Sequence, residues 1–176
     1  MALPVTFVAG NVLTAAQLNS NFTYLDSKGV AIFNETQSSG TQGGANVASA
    51  WTKRVLNTTV INTITGCSIA SSVITLPAGT YLLNAYSPFY AVNGIKIKLR
   101  NTSDSTDQAI GGSYEFAASN FVNGNALLTT YFTIAAAKTF EVQYYAQTVR
   151  ATNGLGFAVS FSVNEVYTTI QIEKVA

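Results

Sequence analysis

The chain has 176 residues, 48% of them hydrophobic and only 10% charged, with nine basic and eight acidic side chains, no histidine and a single cysteine. A length of this order suits one domain with an appendage, and so low a charged fraction leaves the solvent-facing positions to Thr, Ser, Asn and Gln, the composition of a sheet surface and not of a helix bundle. The net charge of +1 is scattered, with Lys53-Arg54 and the trio Lys96, Lys98 and Arg100 as the only concentrations, so no nucleic-acid footprint is present, and Cys67 alone permits no disulfide framework. No run approaches the ~20 apolar residues that span a bilayer, and Met1-Ala2-Leu3-Pro4-Val5 has neither the basic start nor the apolar stretch of a signal peptide. The expectation is a protein made in a cytoplasm, outside the usual secretory route and without membrane insertion.

Residues 1–29 form an N-terminal segment unlike the rest. Ala15, Leu18, Phe22 and Leu25 recur at three-four-three spacing, the a/d seam of a helix, shortly after Leu13. Thr14 with Gln17 three residues on has the capping-box pattern, which predicts a short helix of about three turns. A helix so short is marginal alone in water. Its stripe therefore needs a partner: sister chains in a three-helix seam, a docking groove on another protein, or the chain's own head. Residues 30–50 hold Val30-Ala31-Ile32-Phe33, a candidate first strand, and then a Ser/Gly-rich stretch over 38–46 with the composition of a flexible linker or loop.

Residues 51–176 read as strands and turns. A segment over 51–57 opens this head, 72–76 runs into the turn Pro77-Ala78-Gly79, 79–90 follows, and 94–101 alternates strictly. A polar loop over 102–107 leads to a strand through Tyr114 and Phe116, then come 126–134, 139–148, 156–163 and 167–174. Eight or nine strands at this spacing, with no helical pattern between them, predict an all-β sandwich or jelly roll. Within 94–101 the alternation places Lys96, Lys98 and Arg100 on one face and Ile95, Ile97 and Leu99 on the other. The basic face is either a solvated strand surface or a stripe for anionic glycans or lipopolysaccharide.

The absence of histidine removes Ser-His-Asp and Cys-His nucleophile pairs and imidazole metal sites together. Cys67 lies among apolar neighbours with no cation beside it in sequence, unlike an activated thiolate. The Ser/Thr/Asp loop around Asp104 and Asp107 lacks the spacing of a calcium loop, and Gly40-Thr41-Gln42-Gly43-Gly44 lacks the Lys-Ser/Thr ending of a phosphate loop. A glycosidase-type carboxylate pair drawn from distant strands would leave no local trace. The expectation is a non-enzymatic protein with no cofactor and no metal site. Nine tyrosines remain as candidates for core, subunit contact and sugar stacking.

Leu76-Pro77-Ala78-Gly79-Thr80-Tyr81-Leu82-Leu83-Asn84-Ala85 resembles the strand-opening element of C1q/TNF-like jelly-roll heads, especially those of bacteriophage fibres. The stretch from Thr133 to Gln143 is similar to the hairpin before their last strands, and Tyr167 to Lys174 resembles their closing strand. Phe7-Val8-Ala9-Gly10-Asn11-Val12-Leu13-Thr14-Ala15-Ala16-Gln17-Leu18-Asn19-Ser20-Asn21-Phe22 is similar to the N-terminal segment of many phage tail-fibre and other virion proteins. The resemblance implies a virion surface protein whose N-terminus docks on another virion protein while a homotrimeric head faces outward. For a head of that family, Tyr86, Tyr131 and Tyr144 are the candidates for the subunit contact; from the strand spacing, Lys96, Lys98 and Arg100 are the candidates for glycan or anion contact. No long shaft is present, which favours a stubby fibre or tail appendage, or alternatively a capsid decoration or tail-neck part without receptor binding.

Overall fold

The computed structural model describes residues 3–26, 28–115 and 123–175, and the side chains of all of these except Leu25 and Asp26. Alternating apolar residues form eleven described strands: β1 (Gly29–Gln37), β2 (Thr52–Lys53), β3 (Thr58–Asn62), β4 (Ser68–Ala70), β5 (Val73–Leu76), β6 (Gly79–Tyr90), β7 (Ile95–Asn101), β8 (Thr106–Ile110), β9 (Asn123–Ile134), β10 (Lys138–Ala146) and β11 (Glu165–Lys174). They make two antiparallel sheets, β3-β1-β11-β6-β9 and β4-β5-β10-β7-β8, with β2 on the far edge of β10. The chain thus closes by laying its last strand between its first and its sixth, the connectivity of a jelly-roll sandwich.

The period of two decides which side chains fill the sandwich. β6 turns Tyr81, Leu83, Ala85 and Phe89 inward, β9 Ala126, Leu128, Phe132 and Ile134, β7 Ile95, Ile97 and Leu99, and β10 Phe140, Val142, Tyr144 and Ala146. Rings of Tyr81, Phe132 and Phe140 form one tilted chain, and Phe89 meets Tyr144 at 5.7 Å. Between the sheets sits a charged exception. Arg54 is 0% exposed; its Nη2 donates to Glu35 Oε2 at 2.7 Å and to the Leu155 carbonyl at 3.0 Å, and its Nε to Thr168 Oγ1 at 2.7 Å. Thr168 in turn donates to Glu35 at 3.1 Å, so the Ser87 hydroxyl, 3.1 Å away, supplies the proton of its own bond to Thr168. Lys53 and Arg54 are therefore not a surface pair: Lys53 reaches Glu141 outside the sheet, and Arg54 turns in.

Residues 30–50 are not a loose tether. β1 is an internal strand between β3 and β11, and the stretch after it is strapped to the head. Gly43 N donates to Gly156 O, Leu155 N to Gly44 O, Asn46 N to Arg150 O, and the Tyr167 hydroxyl to Thr41 O. A Cβ at Gly43 would lie 2.6 Å from the Leu155 carbonyl, so only glycine permits this approach. The strand expected over 156–163 does not form. Ser160 and Ser162 hold φ of 57° and 63°, which breaks a ladder, and the amides of Ala158, Val159 and Ser160 are taken by the side chains of Gln42 and Glu165. The strand expected over 51–57 shortens to β2, Tyr114 makes only a bridge to Ile95, and Phe116 lies outside the described residues.

The N-terminal helix α1 (Ala15–Asp26) starts on the expected capping box: Gln17 N donates to Thr14 Oγ1 at 3.2 Å and Thr14 N to Gln17 Oε1 at 3.0 Å. Asn21 clamps the preceding segment, accepting from Val5 N at 2.9 Å and donating to Val5 O at 3.0 Å. No helix among the described residues is long and apolar enough to cross a membrane.

Candidate interaction surfaces

Three surfaces carry the side chains singled out from sequence. The first is the outer face of the five-stranded sheet. Its outward positions are Thr80, Leu82, Asn84, Tyr86, Pro88 and Tyr90 on β6, Asn125, Leu127, Thr129, Tyr131 and Thr133 on β9, and Val166, Thr169, Gln171 and Glu173 on β11. Glu173, at one end, is the sole ionised group among them. Register sets Tyr86 opposite Leu127 and Leu82 opposite Tyr131, and Tyr131 is 65% exposed. The irregular segment after Gly156 extends this face: Phe157 meets Tyr90 at 4.9 Å, and Phe161 is 78% exposed. Glu165 holds that segment, accepting from the amides of Gly40, Val159 and Ser160, and these backbone bonds keep its carboxyl below the ordinary value of 4.5. Tyr144 does not belong here. It is 1% exposed on the inner face of the other sheet, where its hydroxyl accepts from Val47 N, and Tyr145 beside it is the one that points out.

The second surface is the outer face of the six-stranded sheet, where Lys96, Lys98 and Arg100 stand on one side of β7 as alternation required. They do not form an open basic stripe. Lys98 is 6% exposed, its Nζ 2.9 Å from Asp107 and 4.3 Å above the Trp51 ring. Arg100 binds the same Asp107 oxygen at 2.8 Å, and the hydrogen bonds from Lys98 and then Arg100 hold that carboxyl low. Of the three, Lys96 alone has no ion pair among the described residues. It lines an open cleft of about 900 Å³ with Trp51, Ser113, Tyr114, Glu115, Tyr145 and Gln147. Sequence reasoning missed this cleft because its walls come from four separate segments; the only local signal was a lone tryptophan outside the core.

The third surface is the N-terminal segment. Phe22 is 58% exposed, Ala15 and Leu13 are exposed and Leu18 is half-buried, while the Leu25 side chain lies outside the described residues. The stripe on α1 is thus open along its described length and not buried against the head. The chain enters β1 at Gly29, opposite Lys174 and hence at the Tyr81 end of β6. The cleft lies beyond the Tyr90 end, about 30 Å away at ~3.4 Å per residue.

Little here suits covalent chemistry. Burial pushes the Cys67 thiol up to about 11, and Glu35, Asp104, Asp107, Glu141 and Glu165 are each engaged by a cation or by backbone amides. Among the described residues no three His, Cys, Asp or Glu side chains gather as a metal site.

No protein-family model matches the sequence, and no curated protein is similar to it. Solved structures do match. The crystal structure of murine APRIL at pH 8.5 is similar over 84% of this chain and 98% of that one, with 11% identity and a TM-score of 0.52. The Eiger TNF structure from S. frugiperda gives 13% identity, 84% and 92% coverage and a TM-score of 0.52. The globular domain of zebrafish complement 1qA gives 9% identity, 85% and 98% coverage and a TM-score of 0.49. On the APRIL and Eiger structures the fold is thus a TNF-like jelly roll, at identities that speak for fold alone.

Proposed function

We propose that three copies of the chain pack the outer faces of their five-stranded sheets into the trimeric head of a bacteriophage appendage, which docks on another virion protein through residues 1–29 and attaches to host surface glycans. The observation that carries this reading is the ion-poor face of β6, β9 and β11. Burying Leu127, Tyr131, Tyr86 and the Phe157–Val166 region against identical neighbours removes apolar area from water without stranding a charge. A cyclic assembly of a single chain uses such a patch three times. The phage assignment rests on the resemblance of residues 7–22 and 76–85, and the open stripe on α1 supports a docking role for that segment. α1 ends at Asp26 and β1 begins at Gly29, so the head sits close to its mount; this favours a stubby appendage and is equally what a capsid decoration would need.

Light scattering on the full-length protein tests the assembly: about three times the 18.6 kDa chain mass is expected, and a single chain mass overturns it. Adsorption tests the role. Excess purified protein is expected to block adsorption of virions that carry it; normal adsorption of virions lacking it, with label on the capsid, establishes decoration instead.

A further inference from the structure

The cleft at the far end of the head has the parts of a sugar site. Trp51 and Tyr145 lie 5.6 Å apart at 60°, both partly exposed, and Lys98 underneath braces the indole at 4.3 Å. Each wall is fixed by backbone. Tyr145 stands in register with Lys96 across β10 and β7, Ile95 and Tyr114 exchange both backbone hydrogen bonds, and Trp51 is held between the Ser49–Ala146 bond and the β2–β10 pairing. A backbone held in this way need not reorder when a ligand arrives.

The polar rim offers donors and an acceptor. Gln147 Oε1 is already taken, accepting from Asn93 Nδ2 at 2.8 Å and from Gly94 N at 3.3 Å, which fixes its amide and leaves the N–H₂ to donate. Lys96 and Glu115 line the same cleft, each without an ion pair among the described residues. A cation and a carboxylate together give a rim of zero net charge. An anionic ligand would meet Glu115 and a cationic one Lys96, whereas hydroxyls, each both donor and acceptor, satisfy both. The aromatic floor suits the C–H face of a pyranose ring, apolar on one side and hydroxylated at its edge.

We infer that the cleft bounded by Trp51, Tyr114, Tyr145, Lys96, Glu115 and Gln147 binds a neutral hexopyranose unit of a surface polysaccharide. The inference rests on the attachment reading and narrows it, since the notional basic stripe is replaced by a single uncharged-sugar site per chain. The cleft lies on the face opposite the apolar sheet, so three copies stay accessible when that sheet is packed.

Trp51 is the sole tryptophan of the chain, so its fluorescence reports the cleft directly. The full-length protein is titrated with the methyl glycosides of glucose, galactose, mannose and N-acetylglucosamine, and with galacturonate and sialic acid as charged controls. At least one neutral glycoside is expected to saturate the signal with a dissociation constant on the order of millimolar. Tyr145→Ala and Gln147→Ala are each expected to weaken it by about tenfold, one lost contact, with native mass unchanged. Saturation by the charged sugars alone, no saturation by any neutral glycoside, or unaltered binding in both variants overturns the inference. The adsorption assay separates the two ideas. Protein that blocks adsorption equally well with and without Tyr145→Ala refutes the cleft and spares the attachment reading, while glycoside binding without any block does the reverse.

Discussion

Replacing Glu35 with leucine leaves the Arg54 guanidinium between the sheets with no counter-charge. Arg54 then keeps only Thr168 Oγ1 and the Leu155 carbonyl, and the Thr168 hydroxyl loses its acceptor. Breaking one side of a buried ion pair costs about 3–5 kcal/mol, a large part of the roughly 5–15 kcal/mol that holds a domain together. With a urea m-value of about 2 kcal/mol/M, the midpoint falls by about 2 M. Arg54→Met orphans the carboxylate instead, and the two variants part company with pH. Burial already pulls the Glu35 carboxyl above its ordinary value of 4.5, against the attraction of Arg54. Without Arg54 that pull is unopposed. A carboxyl with a raised folded value favours the native state below 4.5 and loses that contribution as pH rises through the folded value. Arg54→Met is therefore expected to recover stability as pH is lowered toward 4.5, whereas Glu35→Leu, whose guanidinium cannot shed its proton, does not. The double variant Glu35→Leu/Arg54→Met is expected to be more stable than either single variant. Urea unfolding followed by Trp51 fluorescence at fixed protein concentration measures all four proteins. A Glu35→Leu cost below about 1 kcal/mol, or identical pH profiles for the two single variants, refutes the reasoning.

Tyr131→Lys places a charge on the apolar sheet face at an exposed position, so the isolated head is expected to keep its fold within about 0.5 kcal/mol, while light scattering falls from three chain masses to one. Glu165→Gln removes a carboxylate held by three backbone amides. Its depressed folded value means that its contribution is fully present above pH 4.5 and is lost as pH falls below 4.5 through the folded value, so the difference in Tm between wild type and variant is expected to shrink below pH 4.5. Asn21→Ala opens the clamp on Val5, and the Val5 amide is expected to exchange faster with solvent while protection in β6 and β9 stays unchanged.

The alternation in 79–90 and 94–101 was enough to predict β6, β7 and the class of fold, and Thr14 with Gln17 was enough to start α1, because each signal is local. What stayed hidden depends on partners distant in sequence. Tyr144 and Tyr145 are adjacent aromatics, and a one-residue error of parity exchanges core for surface; only the pairing of Tyr144 with Ile97 and of Tyr145 with Lys96 settles it. Lys98 was rightly placed on the outer face but is buried there by Trp51 and Asp107, and no period within β7 contains that cover. The burial of Arg54 is not legible beside Lys53, because its acceptors come from β1, β11 and the 155 turn. The alternating Phe157-Ala158-Val159-Ser160-Phe161 has the pattern of a strand, yet no neighbouring strand takes its backbone and Glu165 does.

The two outer faces of the sandwich divide the work by chemistry. In the proposed trimer, burial of the sheet face that carries Leu127 and Tyr131 would supply the drive to assemble; the opposite sheet keeps its charges and could not join that interface without stranding them. Assembly through the first face would therefore leave the second turned outward. The ends are divided as well: the chain enters at the Tyr81 end, where an anchored segment would hold the head, and the Trp51 cleft opens past the Tyr90 end. A single shallow cleft that gripped one pyranose on the order of millimolar would be too weak to hold a particle. Three such clefts on one proposed trimeric head would raise the effective affinity by roughly 10²–10⁴ once their spacing matched a repeating polysaccharide. Under the proposed function, the trimer would be a condition of attachment and not an accompaniment to it.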